Sequence, residues 1–190
     1  CPTVRRGKAV ERGAVHHLTF VIKNDLEIII RFANKNDIDT IVQIESICFP
    51  KEEAASEKSL KQRFDVFPEN FLVAEIKKDK KLIGFINGCT TDQPELPDIL
   101  YENANLHNKD GAYQTVFGID TLPDYRRQGV GEHLMKALIN ITKKRGKKGL
   151  VLTCKDYLIH YYEKFGYENK GISKSCHGGA KWNDMLYLFK

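Results

Sequence analysis

Residues 115–131 read Thr115-Val116-Phe117-Gly118-Ile119-Asp120-Thr121-Leu122-Pro123-Asp124-Tyr125-Arg126-Arg127-Gln128-Gly129-Val130-Gly131 and carry more information than any other segment. The β-branched and aromatic run predicts a strand that stops at Pro123. An arginine-rich turn follows, and two glycines sit at the first turn of a long helix with Leu134, Met135, Leu138, Ile139 and Ile141 on its apolar face. Glycines there let the backbone approach a ligand, and the free N–H groups of a helix start carry the positive end of its dipole. Arg126 and Arg127 add charge-assisted donors, so the segment suits a pyrophosphate. A glycine-rich helix entry with two solvated arginines is the alternative. It is neither a dinucleotide fingerprint, lacking the third glycine and the acidic partner, nor a P-loop, lacking Gly-Lys-Ser/Thr.

Downstream, Lys143–Lys148 charge the helix end, Leu150–Cys154 reads as a strand and Tyr157–Phe165 as a short helix ended by Gly166. Tyr167 and Trp182–Phe189 fit closing strands. Upstream, Glu27–Phe32 reads as a buried strand, and Asn36 caps a helix bearing Ile38, Ile41, Val42, Ile44, Ile47 and Cys48 that Pro50 ends. Ser56 opens a second helix with Leu60, Phe64 and Phe67 on one face, closed by Pro68. Phe71–Ile76 and Lys81–Cys89 form a hairpin across Lys77-Lys78-Asp79-Lys80, and Tyr113–Thr121 is the next strand. Residues 91–112, rich in Pro, Asn and acidic side chains, form a loop long enough to imply a role. The order predicts a mixed α/β fold without internal repeats.

At 190 residues, 42% of them hydrophobic and 29% charged, the chain has the composition of one globular domain. No run approaches the ~18 apolar residues of a membrane span, so neither a membrane partner nor a disordered chain is expected. The net charge is +5, but residues 1–25 alone contribute +3, and three of the eight arginines fall in the first twelve positions. The remaining excess is too small to predict a nucleic-acid partner. Without an apolar core, residues 1–25 read as a flexible leader or a segment foreign to the native chain, not a signal peptide. Residues 26–190 then form the single domain. Cys1, Cys48, Cys89, Cys154 and Cys176 show no CxxC pair or zinc spacing, so reduced thiols in a cytoplasmic protein, and no metal, are expected; a catalytic cysteine stays open.

The pattern Arg126-x-x-Gly129-x-Gly131 after a strand resembles the acetyl-CoA pyrophosphate loop of the GCN5-related N-acetyltransferase (GNAT) superfamily. Tyr162-Glu163-Lys164-Phe165-Gly166-Tyr167 resembles that superfamily's Tyr-x-x-x-Gly-aromatic motif. Further pieces, Phe49-Pro50-x-Glu52-Glu53-Ala54-Ala55-Ser56, Arg63, Phe71-Leu72, Gly84–Gly88, Leu152-Thr153-Cys154 and His177-Gly178-Gly179-Ala180-x-Trp182, are similar to the arylalkylamine (serotonin) N-acetyltransferase-like branch and its microbial members. The resemblance covers about residues 27–190. It implies a single α/β domain whose mixed sheet is splayed between Tyr113–Thr121 and Leu150–Cys154 around a cofactor cleft. It implies acetyl transfer from acetyl-CoA, as co-substrate, to a primary amine of a small molecule, without an acyl-enzyme. The backbone of Arg126, Arg127, Gln128, Gly129, Val130, Gly131 and Glu132 would cradle the phosphates. Ile119 and Thr121, flanking Asp120, would pair with the pantetheine arm. Tyr162 would protonate the departing thiolate, unless it is a core aromatic beside Tyr161.

The chain departs from that pattern at one place. Two histidines that relay the amine's proton in the animal serotonin-forming enzymes are matched here by Thr115 and Phe117. Phe117 takes no proton and Thr115 can only order a water, so the base is sought among His107, His160, His177 and the acidic residues of the long loop. Asp98 and Glu102, four apart, would share a helical face and attract a cationic amine, or simply solubilise the loop. The lysines after the cofactor helix would hold the 3′-phosphate, or merely complement its dipole. Three other functions fit less well: acetylation of a protein lysine or N-terminus, a CoA-binding regulatory module without turnover, and a nucleic-acid binder.

Overall fold

The computed structural model describes residues 18–190. Among them, strands β1 (Leu18–Ile22), β2 (Leu26–Phe32), β3 (Phe71–Ile76), β4 (Leu82–Asn87) and β7 (Gly118–Thr121) form one antiparallel sheet, in the order β1-β2-β3-β4-β7. A second sheet has the order β5-β6-β8-β10-β9, from β5 (Thr90–Thr91), β6 (Tyr113–Thr115), β8 (Gly149–Cys154), β10 (Asn183–Leu188) and β9 (Glu168–Ile172). Among the described strands only β6 and β8 run parallel, which makes a mixed, splayed sheet. The helices are α1 (Ile38–Cys48), α2 (Glu57–Val66), α3 (Asp98–Glu102), α4 (Val130–Lys144) and α5 (Ile159–Glu163).

The continuous apolar runs of β3 and β4 are buried on both faces, as strands covered on both sides must be. On β3, Leu72, Ala74 and Ile76 join Leu134, Met135 and Leu138 of α4 in one core. Phe71 and Val73 face the other way and join Ile41, Ile44, Leu60 and Phe67 beneath α1 and α2. This two-residue alternation assigns one helix layer to each face of the sheet.

Three boundaries differ from expectation. Leu18–Ile22 of the supposed leader is a strand, paired Leu18↔Ile30 through Ile22↔Leu26, with Asn24 and Asp25 turning at positive φ. Residues 1–17 of that segment lie outside the described residues. The entry to α1 is a capping box centred on Asn34, not Asn36: Asn34 accepts the Asn36 N–H, and Asp37 accepts the Asn34 N–H. The expected long loop contains α3 and the turn Ala104–Leu106, because Leu96, Leu100 and Ala104 are buried in the second core.

Candidate active site

A break in one predicted strand opens the cleft. β6 runs beside β8 as far as Thr115↔Val151, and the Val116 N–H on the Val151 carbonyl (3.0 Å) is the last rung. Phe117 then donates to Asn87 (2.7 Å), and the chain continues as β7 along β4. Past that irregular bond, Leu122 donates to Ile83, so in the antiparallel register of β7 the bonds to β4 fall on the even-numbered residues from 118 on and the main-chain groups of Ile119 and Thr121 face the split. Across it stand Leu152, Thr153 and Cys154. An unpaired strand edge of this kind can take an extended ligand as an additional strand. The Thr121 carbonyl already accepts Arg126 Nε (2.9 Å), which leaves Ile119 the freer of the two.

The split runs toward the start of α4. Gly129 occupies the left-handed region (φ 87°), which a side chain would strain, and no side chain caps the helix. The first N–H to turn back is that of His133, on Gly129 O at 3.0 Å, so the N–H groups of Val130, Gly131 and Glu132 point out of the helix end. A Cβ on Gly131 would lie 3.0 Å from the Tyr161 hydroxyl, so the small residue keeps this approach clear. These features fit a diphosphate. The expected side-chain donors divide: Arg127 is exposed, Arg126 braces Thr121, and Gln128 takes the Lys23 N–H (3.0 Å) and donates to Asp124 O. Phe20 stacks on His133 at 3.8 Å, so the β1–β2 hairpin supports the loop from behind. Arg145 and Lys147 are tied to Asn70, Glu69, Lys109 and Gly111, at the far end of a helix some ~22 Å long. That distance removes them from a phosphate at the other end.

The split ends in a cavity of about 150 Å³, room for a group the size of one aromatic ring. Tyr162 of α5 lines it, packed edge-on against Tyr161 and Tyr167. Burial, above all, pushes its phenol well above the ordinary tyrosine range, which keeps it a protonated donor. Tyr101, Phe117, His177 and Trp182 give the cavity aromatic walls, and Arg63 lies 4.5 Å over the Phe117 ring. His177 stacks on Tyr101 and bonds through Nε2 to Glu53 O at 3.0 Å.

The residues considered for the base and the amine site separate here. Thr115 spends its hydroxyl on Cys89 O (2.9 Å) and is fully buried, so it orders no water in the cavity. His107 accepts the Thr90 N–H within the second core, and His160 is 94% exposed; neither lines the cavity. Asp98 holds Ser175 and Cys176 and Glu102 is exposed, and neither lines the cavity either. His177 does. Two acidic residues not singled out as amine or base candidates line it as well: Glu53, paired with Lys155 at 2.6 Å, and Glu45.

Comparison with known proteins agrees with this geometry. Residues 38–167 match the model of the acetyltransferase (GNAT) family. An uncharacterized N-acetyltransferase, YkwB, of Bacillus subtilis is 27% identical over 124 residues, 60% of this chain and 54% of that protein. Serotonin N-acetyltransferase of Mesocricetus auratus is 28% identical over 95 residues, 50% of this chain and 44% of that protein. The chain thus spans about half the length of these curated relatives. The loading GNATL domain of CurA from Lyngbya majuscula superposes with a TM-score of 0.74 at 15% identity, covering 85% of this chain and 97% of that one, a likeness of fold. The family model spans α1 to Tyr167 and so takes in the strand break, the glycine loop and Tyr162 together: the chain belongs to the acetyltransferase (GNAT) family.

Proposed function

We propose that this protein transfers the acetyl group of acetyl-CoA to the primary amine of a small molecule, by direct attack within a ternary complex. One observation carries the reading: the uncapped start of α4 and the Tyr162 phenol both border the split beside β7, whose edge has main-chain groups free to hold an extended arm. The N–H groups of residues 130–132 bind the diphosphate, with Gly129 and Gly131 keeping the approach open. Ile119 of β7, whose main-chain groups face the split, aligns the arm and directs the thioester into the cavity. Tyr162 donates its proton to the leaving sulfur.

A cavity this small, with aromatic walls, favours the end of an arylalkylamine or polyamine over a folded protein surface. The partial similarity to a serotonin N-acetyltransferase supports the same class. The test is thioester consumption with a panel of arylalkylamines, polyamines and short peptides, beside calorimetric titration with acetyl-CoA. Turnover with small amines is expected. Turnover only with peptides would move the acceptor to protein, and binding without turnover would make the chain a CoA-responsive module. No binding at all would overturn the reading.

A further inference from the structure

An alkylamine with a pKa near ~10 arrives protonated at neutral pH and must lose a proton before it can attack. Among the cavity's lining groups, His177 has its Nε2 engaged by Glu53 O. The cavity floor offers a different acceptor. Glu45, mid-way along α1 and only 6% exposed, lines the cavity and takes the Ala55 N–H on one oxygen at 2.8 Å. Behind it lies Asp120 of β7, 1% exposed, its carboxyl in hydrogen-bonding contact with that of Glu45. Neither Asp120 oxygen has a donor among the described residues unless a proton lies between the two acids. Two buried carboxylates in contact do not both ionise. On the cavity wall Arg63, 5% exposed, leaves its Nε unpartnered, a buried cation beside the pair.

We infer that Asp120 and Glu45 hold one proton between them, and that Glu45 is the cavity's proton acceptor for the incoming ammonium. The inference rests on the amine-acetylation reading above. Burial first, then Glu45 itself, raises the Asp120 carboxyl well above the usual range. The other groups facing the pair are Cys48 of α1, Arg63 of α2 and Arg126 of the glycine loop; Glu53 with Lys155, Tyr101, Tyr162 and His177 stand around the cavity. Asp120 keeps the shared proton and donates toward Glu45. Glu45 takes one proton from R–NH3+, and the nitrogen lone pair attacks the thioester carbon. The C–S bond breaks, and the sulfur takes the Tyr162 proton. The amide nitrogen's surplus proton returns to the Tyr162 oxygen through solvent, and Glu45 releases its proton to water.

Two measurements test this. In Glu45→Gln, kcat/KM at neutral pH should fall about 100-fold. Acetyl-CoA affinity should not change, and the deficit should shrink as pH approaches the amine's own pKa. A deficit constant with pH, or an equal loss of acetyl-CoA affinity, overturns the assignment. Independently of any acceptor, carbon-13 NMR of carboxyl-labelled wild-type protein should show one aspartate still protonated at about pH 7, where ordinary aspartates are ionised. That signal should disappear in Asp120→Asn. Complete ionisation of every aspartate by about pH 6 overturns the shared proton even if Glu45→Gln does not fold. If wild-type protein acetylates peptides but no small amine, the acceptor class fails while both tests still decide the acid pair.

Discussion

The Asp98 carboxylate accepts the Ser175 hydroxyl with one oxygen and the Cys176 N–H (3.2 Å) with the other, across 77 and 78 residues of sequence. This clasp joins α3, whose Tyr101 walls the cavity, to the turn that carries His177. Asp98 therefore shapes the cavity proposed for the acceptor without lining it.

Asp98→Ala should loosen that turn. Loss of hydrogen bonds to a charged group, about 1.5–3 kcal/mol in sum, should appear as a rise of about tenfold or more in KM for the acceptor. Acetyl-CoA affinity should stay unchanged, because the side-chain bonds of Asp98 go to Ser175 and Cys176 and not to the glycine loop. Steady-state kinetics with each substrate varied in turn distinguish the two; an unchanged acceptor KM would mean that the clasp is decorative.

Tyr162→Phe removes only the phenolic proton. If that proton goes to the leaving sulfur, kcat should drop about 100-fold with acetyl-CoA binding intact. The pH profile adds a signed test. Burial raises this phenol, so the protonated, donating form persists to higher pH than an ordinary tyrosine allows. The wild-type kcat should therefore show no alkaline limb from this group below about pH 10.

Gly129 and Gly146 both have positive φ, 87° and 74°, at opposite ends of α4. An alanine at either site meets a backbone strain of about 1–2 kcal/mol. Only at Gly129 does relief of that strain re-aim the N–H groups proposed to hold the diphosphate. Gly129→Ala should thus weaken acetyl-CoA binding about tenfold, whereas Gly146→Ala should lower thermal stability alone. Calorimetry and thermal melts on the pair separate the two effects. Equal affinities for acetyl-CoA would remove the loop from the binding site.

Much of this was legible in the chain itself. The 3.6-residue period of α4, the glycines before it and the tyrosine motif on α5 are local signals, and the structure places them around one split. Leu18–Ile22 is not legible as a strand, because the charges around it outweigh its apolar run, although Phe20 and Ile22 pack on the core. The break at Val116–Phe117 leaves no local mark: every residue there favours a strand, and only the divergence of two sheets decides where pairing stops. Glu45 is a single charge beside Ile41 and Ile44 on a helix face that the periodicity assigns to the core. Its role needs Asp120, 75 positions away, which sequence spacing cannot bring into contact.

Stability depends on an ion cluster on the opposite flank of the first sheet. Arg31 of β2 lies between Asp37, at the entry to α1, and Glu75 of β3, at 2.7 Å from each, and all three side chains are largely shielded. Burial alone would raise the Asp37 carboxyl, but hydrogen bonds from Arg31 and the Asn34 N–H outweigh it and hold it below the usual range. A carboxyl depressed in the folded state stabilises fully above its unfolded pKa, and the contribution is lost as pH falls through the folded value. Thermal stability should accordingly be insensitive to this group above about pH 5 and decline below about pH 4. Arg31→Leu leaves two shielded carboxylates without their cation, at a cost of about 3 kcal/mol at neutral pH. In that variant Asp37 loses its main ion partner, so the acid slope should flatten or reverse. Melting curves of both proteins across that pH range decide it: a parallel acid slope in the variant would show that the stability lost in acid resides elsewhere.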